Sequence, residues 1–139
     1  MIRYHPEIEE MFNKYHNKKI DTPDGKFDSK YEYQKWCELK LLEKNGNISD
    51  LHRQVKFELI PSIKTACETL RSISYYADFI YIKEGVMYVV DSKGYNTDVF
   101  QIKKRLLILK LKQGIEFNGK LIPALFVETK KGKPDKIYK

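Results

Sequence analysis

Two aspartates sit where an acid is costly. Asp78 lies inside the run Tyr75-Tyr76-Ala77-Asp78-Phe79-Ile80-Tyr81, and Asp91 ends the run Val86-Met87-Tyr88-Val89-Val90. A carboxylate in such surroundings demands a partner or a metal. The period of two in a strand puts Asp91 and Lys93 on one side. If Lys83-Glu84-Gly85 turns the chain, Asp78 and Asp91 approach near the open end of the hairpin, as strand partners or diagonal neighbours. Two carboxylates that close repel each other and invite a divalent cation, which hard oxygen ligands hold. Mg²⁺, with Mn²⁺ as a substitute, would bridge the site and a phosphate, sharpen a bound water into a nucleophile and offset charge in the transition state. Lys93 would contact the attacking water or the scissile phosphate. The other reading makes Asp78 and Asp91 strand-end residues with local hydrogen bonds and Lys93 their counter-ion.

Acid-x-Lys alone decides nothing, since the chain has five: Asp24/Lys26, Asp28/Lys30, Glu38/Lys40, Asp91/Lys93 and Glu128/Lys130. Of the five, Asp91/Lys93 follows an acid-bearing hairpin. A third carboxylate, Glu32, falls between Leu39 and Trp36 on a helical stripe of Tyr33, Trp36, Cys37, Leu39 and Leu41. It either joins a metal site or completes the capping box Ser29-x-x-Glu32. Gln54 and Glu58 share the polar face of a strand, where Gln54 could support the site or be ordinary surface. Lys103, Lys104, Arg105 and Lys110 alternate with apolar residues and are the candidate DNA contacts. Lys104 falls near Phe100, Leu107 and Leu111 by helical angle, so it either projects past the core edge toward phosphate or snorkels to solvent.

The elements that must position these groups can be read in order. Residues 5–16 have helical spacing at Ile8, Met11, Phe12 and Tyr15. Pro23-Asp24-Gly25 turns between short strands over 18–22 and 26–27. A helix runs from about Ser29 to Lys44, capped by Asp28 or Ser29 and closed near Gly46. Residues 52–60 alternate as a half-buried strand stopped by Pro61, and 62–71 are ambiguous. Ile73–Ile82 and Val86–Asp91 form the hairpin. A second helix spans Asp98 to Gln113, with Thr97 as cap and Gly114 as stop. Leu121–Val127 is a last strand interrupted by Pro123, and the lysine-rich tail from Thr129 reads as loose. The order helix, three strands, helix, strand suits an α/β fold with a mixed sheet flanked by helices.

The chain has 139 residues, which argues for one domain with its core over about residues 17–127. No apolar run approaches the roughly 20 residues that span a bilayer. The start MIRYHPEIEEMF shows no export signal, so the expectation is a cytoplasmic protein. Two cysteines suit neither a disulfide framework nor a zinc site. Residues 98–139 hold 11 basic and 4 acidic residues, whereas the balance before them is zero, so the whole net charge of +7 sits in the last third. A one-sided basic segment suits a polyanion partner, and a solvated lysine-rich surface is the plainer reading. His5, His16 and His52 have no ligand spacing, and no phosphate-cradling glycine loop or nucleophile elbow is present.

Phe27-Asp28-Ser29-Lys30-x-Glu32, the Gln54 strand, Tyr76-Ala77-Asp78-Phe79-x-Tyr81 and Val90-Asp91-Ser92-Lys93-Gly94 together resemble a small phage-encoded family of the PD-(D/E)xK restriction-endonuclease-like superfamily. The resemblance covers roughly Asn17 to Leu111. It implies a restriction-endonuclease-like core and a Mg²⁺-dependent DNA endonuclease, similar to phage Holliday-junction resolvases. Asp78, Asp91 and Glu32 would then be metal ligands, Lys93 the catalytic lysine and Gln54 a supporting residue, with the host cytoplasm as location. Ala77 replaces the proline of the superfamily motif, and Asp91 its more usual glutamate. The expected function is hydrolysis of phosphodiester bonds in branched or structured DNA by a homodimer, since a resolvase must cut two symmetric strands. A non-catalytic DNA-binding or assembly module on the same fold, and an RNA nuclease, are the alternatives.

Overall fold

A computed structural model of the chain describes residues 19–92 and 96–139. The helix expected over 5–16 and the candidate Lys93 lie outside them. Along the described residues the elements are β1 (Ile20–Thr22), β2 (Gly25–Phe27), α1 (Lys30–Lys44), β3 (Ser49–Ile60), β4 (Ile63–Lys64), β5 (Thr69–Leu70), β6 (Ile73–Lys83), β7 (Val86–Ser92), α2 (Asp98–Lys112), β8 (Ile115–Phe117), β9 (Lys120–Ile122), β10 (Ala124–Lys130) and β11 (Lys133–Tyr138). The fold is α/β, with a mixed five-stranded sheet in the order β11-β10-β7-β6-β3. β7 and β10 are parallel, and α2 makes the crossover between them. The other pairings in the sheet are antiparallel. No helix among the described residues is long and apolar enough to cross a membrane.

Local chemistry sets the element ends. Ser29 Oγ accepts from the Glu32 amide at 3.1 Å to start α1, and Thr97 Oγ1 accepts from the Phe100 amide at 3.1 Å to start α2. Glu84 at φ +51° and Gly85 at φ +77° form the two-residue turn between β6 and β7, as both central positions of a tight hairpin turn require. Gly114, at φ +86°, ends α2 where a Cβ would stand 3.1 Å from the Ile122 carbonyl oxygen.

Two apolar layers cover the two sides of the sheet. Leu107 and Leu111 of α2 pack with Phe57, Tyr75, Ala77, Ile80, Met87, Val89 and Phe126. Leu39 of α1 packs with Ile48, Leu51, Phe79, Val90 and Val127, and Trp36 joins them. Within β6, Tyr75 and Ala77 belong to the α2 layer but Phe79 belongs to the α1 layer. Within β3, Leu51 faces α1 whereas Val55 and Phe57 face α2. Strict alternation would keep odd-numbered positions on one face. Both strands therefore change face at the same level, at Gln54 in β3 and just after Asp78 in β6. Gln54 has φ +54°, a left-handed value that lets one strand reverse its side-chain sense within a single residue.

Several expectations need correction. Leu121–Val127 is not one strand: the residues around Pro123 split it between the β8–β9 hairpin and β10, and the Pro123 carbonyl accepts from the Met87 amide at 2.9 Å. The segment after Thr129 is not loose, because β11 pairs with β10 through Phe126↔Tyr138 and Val127↔Ile137. Tyr138 supplies the apolar contact, against Phe126, that the surrounding lysines hid. β3 begins at Ser49 rather than residue 52, and 63–70 close as a small β4–β5 hairpin. Leu41, placed on the apolar stripe of α1, is 59% exposed.

Lys104 is also corrected, for it neither snorkels nor reaches toward phosphate. It is buried, and its Nζ lies 3.0 Å from Glu128 Oε2 and donates to Tyr138 Oη at 3.0 Å. Burial pushes the Lys104 ammonium down, but the hydrogen bonds to Tyr138 and Glu128 outweigh it and leave its pKa above the ordinary value. The pair ties α2 to β10 and β11. Replacing one partner of a buried pair leaves a desolvated charge uncompensated, so Lys104→Ala should cost about 3–5 kcal/mol in urea denaturation at neutral pH, with Lys104→Met plus Glu128→Leu recovering most of it.

Candidate functional site

The hairpin brings the two aspartates face to face. β6 and β7 pair from Lys83↔Val86 to Phe79↔Val90. One step further toward the open end, the same register sets Asp78 opposite Asp91. The backbone then holds both carboxylates. The Ser92 amide donates to Asp78 Oδ2 at 2.8 Å, and the Asp78 amide donates to Asp91 Oδ1 at 3.3 Å. The buried Tyr75 hydroxyl donates to Asp91 Oδ2. Each aspartate is thus fixed by groups from the facing strand rather than by its own turn.

β3 supplies the next member. Arg53 pairs with Phe79 and Val55 with Ala77, which leaves Gln54 opposite Asp78. Gln54 Nε2 stands 3.5 Å from Asp78 Oδ1 and 3.5 Å from Glu32 Oε1. Glu32 Oε2 accepts from the Asp28 amide at 3.2 Å. One Glu32 oxygen serves the helix start, through the Asp28 amide rather than that of the Ser29 cap, and the other faces Gln54. The face reversal at Gln54 aims its amide to the α1 side, toward Glu32.

The electrostatics follow from this crowding. Glu32 is 4% exposed. Burial, with the Asp78 charge beside it, pushes its carboxyl up to about 7, and the Asp28 amide and Arg53 offset only part of this. Burial and the facing Asp78 carboxylate likewise hold the Asp91 carboxyl well above the usual range, against the lowering effect of the Tyr75 and Asp78 hydrogen bonds. Burial, then the neighbouring Asp91 charge, pushes the Tyr75 hydroxyl far up, so it remains a donor at any physiological pH. An acid cluster whose charged forms are disfavoured this way can take protons or a cation.

The donor set is one of hard oxygens, which suits Mg²⁺ or Mn²⁺ by type. Asp78 and Asp91 lie against each other, and Gln54 links Glu32 to Asp78. Among the described residues, no group of three or more His, Cys, Asp and Glu side chains stands close enough to hold a metal ion as placed. Turning the Gln54 amide about its last bond exchanges Nε2 for Oε1 and makes a donor into an oxygen ligand without moving the backbone. The residues present therefore fit a divalent cation in kind, with Glu32 the member that would have to close in.

Other candidates stand elsewhere. Lys103 is half-buried, and Arg105 and Lys110 are exposed, on α2. α2 packs on the side of the sheet opposite α1, so none of these cations joins Glu32. Tyr75 and Ser92 were not legible as site residues. Tyr75 reads as one more strand aromatic, and the Ser92 contribution is a backbone amide that no side chain announces. The Ser92 and Thr129 hydroxyls, side by side in the β7–β10 register, are buried without a hydrogen-bond partner among the described residues.

The Glu32 carboxyl titrates from about 7 in the folded chain against the ordinary carboxylate value unfolded, so the folded state holds more protons across that window. Stability must then fall as pH rises from about 4.5 to about 7, by on the order of 3 kcal/mol for this group. Glu32→Gln keeps an acceptor for the Asp28 amide and removes the charge. Urea denaturation from pH 4.5 to 8 should give a flatter profile for the variant and a more stable chain at pH 8. An unchanged slope would show that Glu32 titrates normally.

Comparison with curated proteins and with solved structures gives no match. A family model does match, over residues 12–122, a stretch that contains Glu32, Gln54, Asp78, Asp91 and all of α2. The chain belongs to that family, described as "Protein of unknown function (DUF1064)".

Proposed function

We propose that the chain is a Mg²⁺-dependent endodeoxyribonuclease on a restriction-endonuclease-like core, hydrolysing phosphodiester bonds in branched or otherwise structured DNA as a homodimer. The observation that carries this reading is the pairing of Asp78 with Asp91 at the open end of a hairpin, with Glu32 drawn in through Gln54. A sheet gains nothing in stability from opposed like charges. The order α1, β3, β6, β7, α2, β10 also agrees with the helix, three strands, helix, strand core that the sequence resemblance implies.

Asp78, Asp91 and Glu32 would hold the Mg²⁺ ion, whose chemistry when bound is to acidify a water and to neutralise charge on the reacting phosphate. The chain's own groups have separable tasks. The Ser92 and Asp78 amides and the Tyr75 hydroxyl orient the two aspartates. Gln54 keeps Glu32 directed at Asp78. Lys93, two residues after Asp91, would set its ammonium against the attacking water or a phosphate oxygen. The basic last third of the chain would contribute charge toward the nucleic acid.

A four-way junction, a nicked duplex, single-stranded DNA and an RNA strand incubated with Mg²⁺ or Mn²⁺ test the proposal. Cleavage of branched DNA by the wild type is expected, reduced about a hundredfold or more in Asp91→Asn and in Lys93→Ala. No cleavage of any substrate, or cleavage that survives both substitutions, defeats it. Salt-sensitive DNA binding that ignores both metal and Asp78→Ala would favour a binding module instead, and exclusive cleavage of RNA would change the substrate. Sedimentation of the junction complex should show two chains, because symmetric strands need symmetric sites.

A further inference from the structure

We infer that the half of the β3–β6 face beside Asp78 that no described residue packs over binds an unpaired nucleotide of the substrate strand, with Tyr76 stacking on its base and Lys56 holding its phosphate. This rests on the nuclease reading of the carboxylate cluster and adds to it a substrate feature. The α1 layer takes Leu51 and Phe79 but nothing from β3 or β6 on the other side of the reversal at Gln54 and Asp78. There the pleat turns Val55, Phe57, Tyr75 and Ala77 to the α2 layer. It turns Gln54, Lys56 and Glu58 of β3, and Ser74, Tyr76 and Asp78 of β6, to the other side.

On that side Lys56 and Tyr76 are register partners. Both are exposed, Tyr76 to 58%. Tyr76 and Asp78 are two residues apart on one face, about 7 Å along the strand. A large ring in water, one nucleotide's reach from the carboxylates and paired with a cation, has the composition of a stacking platform for single-stranded nucleic acid. The base must be unpaired or splayed, because inside a duplex its faces are already occupied. Glu58, opposite Ser74 and further from Asp78, repels backbone and confines the phosphate to Lys56.

The test uses the full chain with Ca²⁺ and a single-stranded oligodeoxynucleotide carrying 2-aminopurine, and the same strand annealed to its complement. Tyr76→Ala should weaken single-strand binding by about five- to a hundredfold and abolish quenching of 2-aminopurine. Duplex binding should change much less, and Tyr76→Phe should restore both readouts. Lys56→Ala should lower the slope of log affinity against log salt by about one. Wild-type affinity and quenching in Tyr76→Ala, or equal losses on both DNA forms, would overturn the inference. Tyr76 is exposed, so an unchanged melting temperature is expected and checks that the variant folds. Binding is read without turnover, so absence of cleavage by the wild type would count against the nuclease proposal and not against the stacking site.

Discussion

Two like charges opposed across a hairpin are the constraint around which the rest of this molecule is arranged. Asp78 and Asp91 meet where the β6–β7 ladder opens. Cross-strand like charges destabilise a sheet, so something must hold these strands together at that level. What holds them is a set of donors: two backbone amides, the Tyr75 hydroxyl and the Gln54 side-chain amide. Hydrogen bonds to a charged acceptor are stronger than neutral ones. They nevertheless leave the Asp91 carboxyl harder to ionise than usual, because burial and its twin outweigh them. The cluster is thus satisfied in hydrogen bonds and unsatisfied in charge, the condition under which a cation or a proton is retained.

The packing serves that arrangement. In a regular strand neighbours alternate, so only one of Arg53 and Gln54 could face the α1 side. The left-handed Gln54 changes the face, so that Arg53 lies over the Phe27 ring at 3.7 Å on the α1 side while Val55 enters the α2 layer. Backbone outliers of this kind are retained where the surroundings over-determine them. Here the surroundings are two hydrophobic layers that each claim one half of the strand. The α2 layer is fastened by the buried Lys104–Glu128 pair and the Tyr138 hydroxyl, and Glu128 is the β10 register partner of Asp91, directly beside the carboxylates. α2 packs across β3, β6 and β10, so the layer it fastens also supports the strands that carry the aspartates.

Strand alternation, the Glu84-Gly85 turn and the helix caps were local signals, and they sufficed to oppose Asp78 with Asp91 and to start both helices at Ser29 and Thr97. The capping box and the stripe position of Glu32 read as competing explanations, since spacing alone does not reveal that one carboxylate has two oxygens to spend. The reversal at Gln54 was illegible because glutamine carries no signature of positive φ. Lys104 was misplaced for a related reason: its helical angle put it on the core edge, and its partner lies 24 residues on, in a strand whose own partner was hidden by lysines. What a sequence shows poorly is a polar contact between distant elements, because neither residue looks unusual by itself.

Glu32 shows how a helix start can deliver an acid to such a site. The first turn of a helix favours negative charge, and its free amides donate to a carboxylate. The Asp28 amide holds one oxygen and so fixes the side chain without a cation. Had the same acid been held by a lysine or arginine, its charge would already be answered, and little would remain to attract a metal. Instead burial and Asp78 outweigh the helix and Arg53, and the carboxyl stays near neutral pH between its two states. An acid positioned by backbone and left electrostatically unanswered is suited to take up a proton or a cation. Glu32 stands beside Gln54 on the α1 side of the sheet, next to the exposed positions of Lys56 and Tyr76.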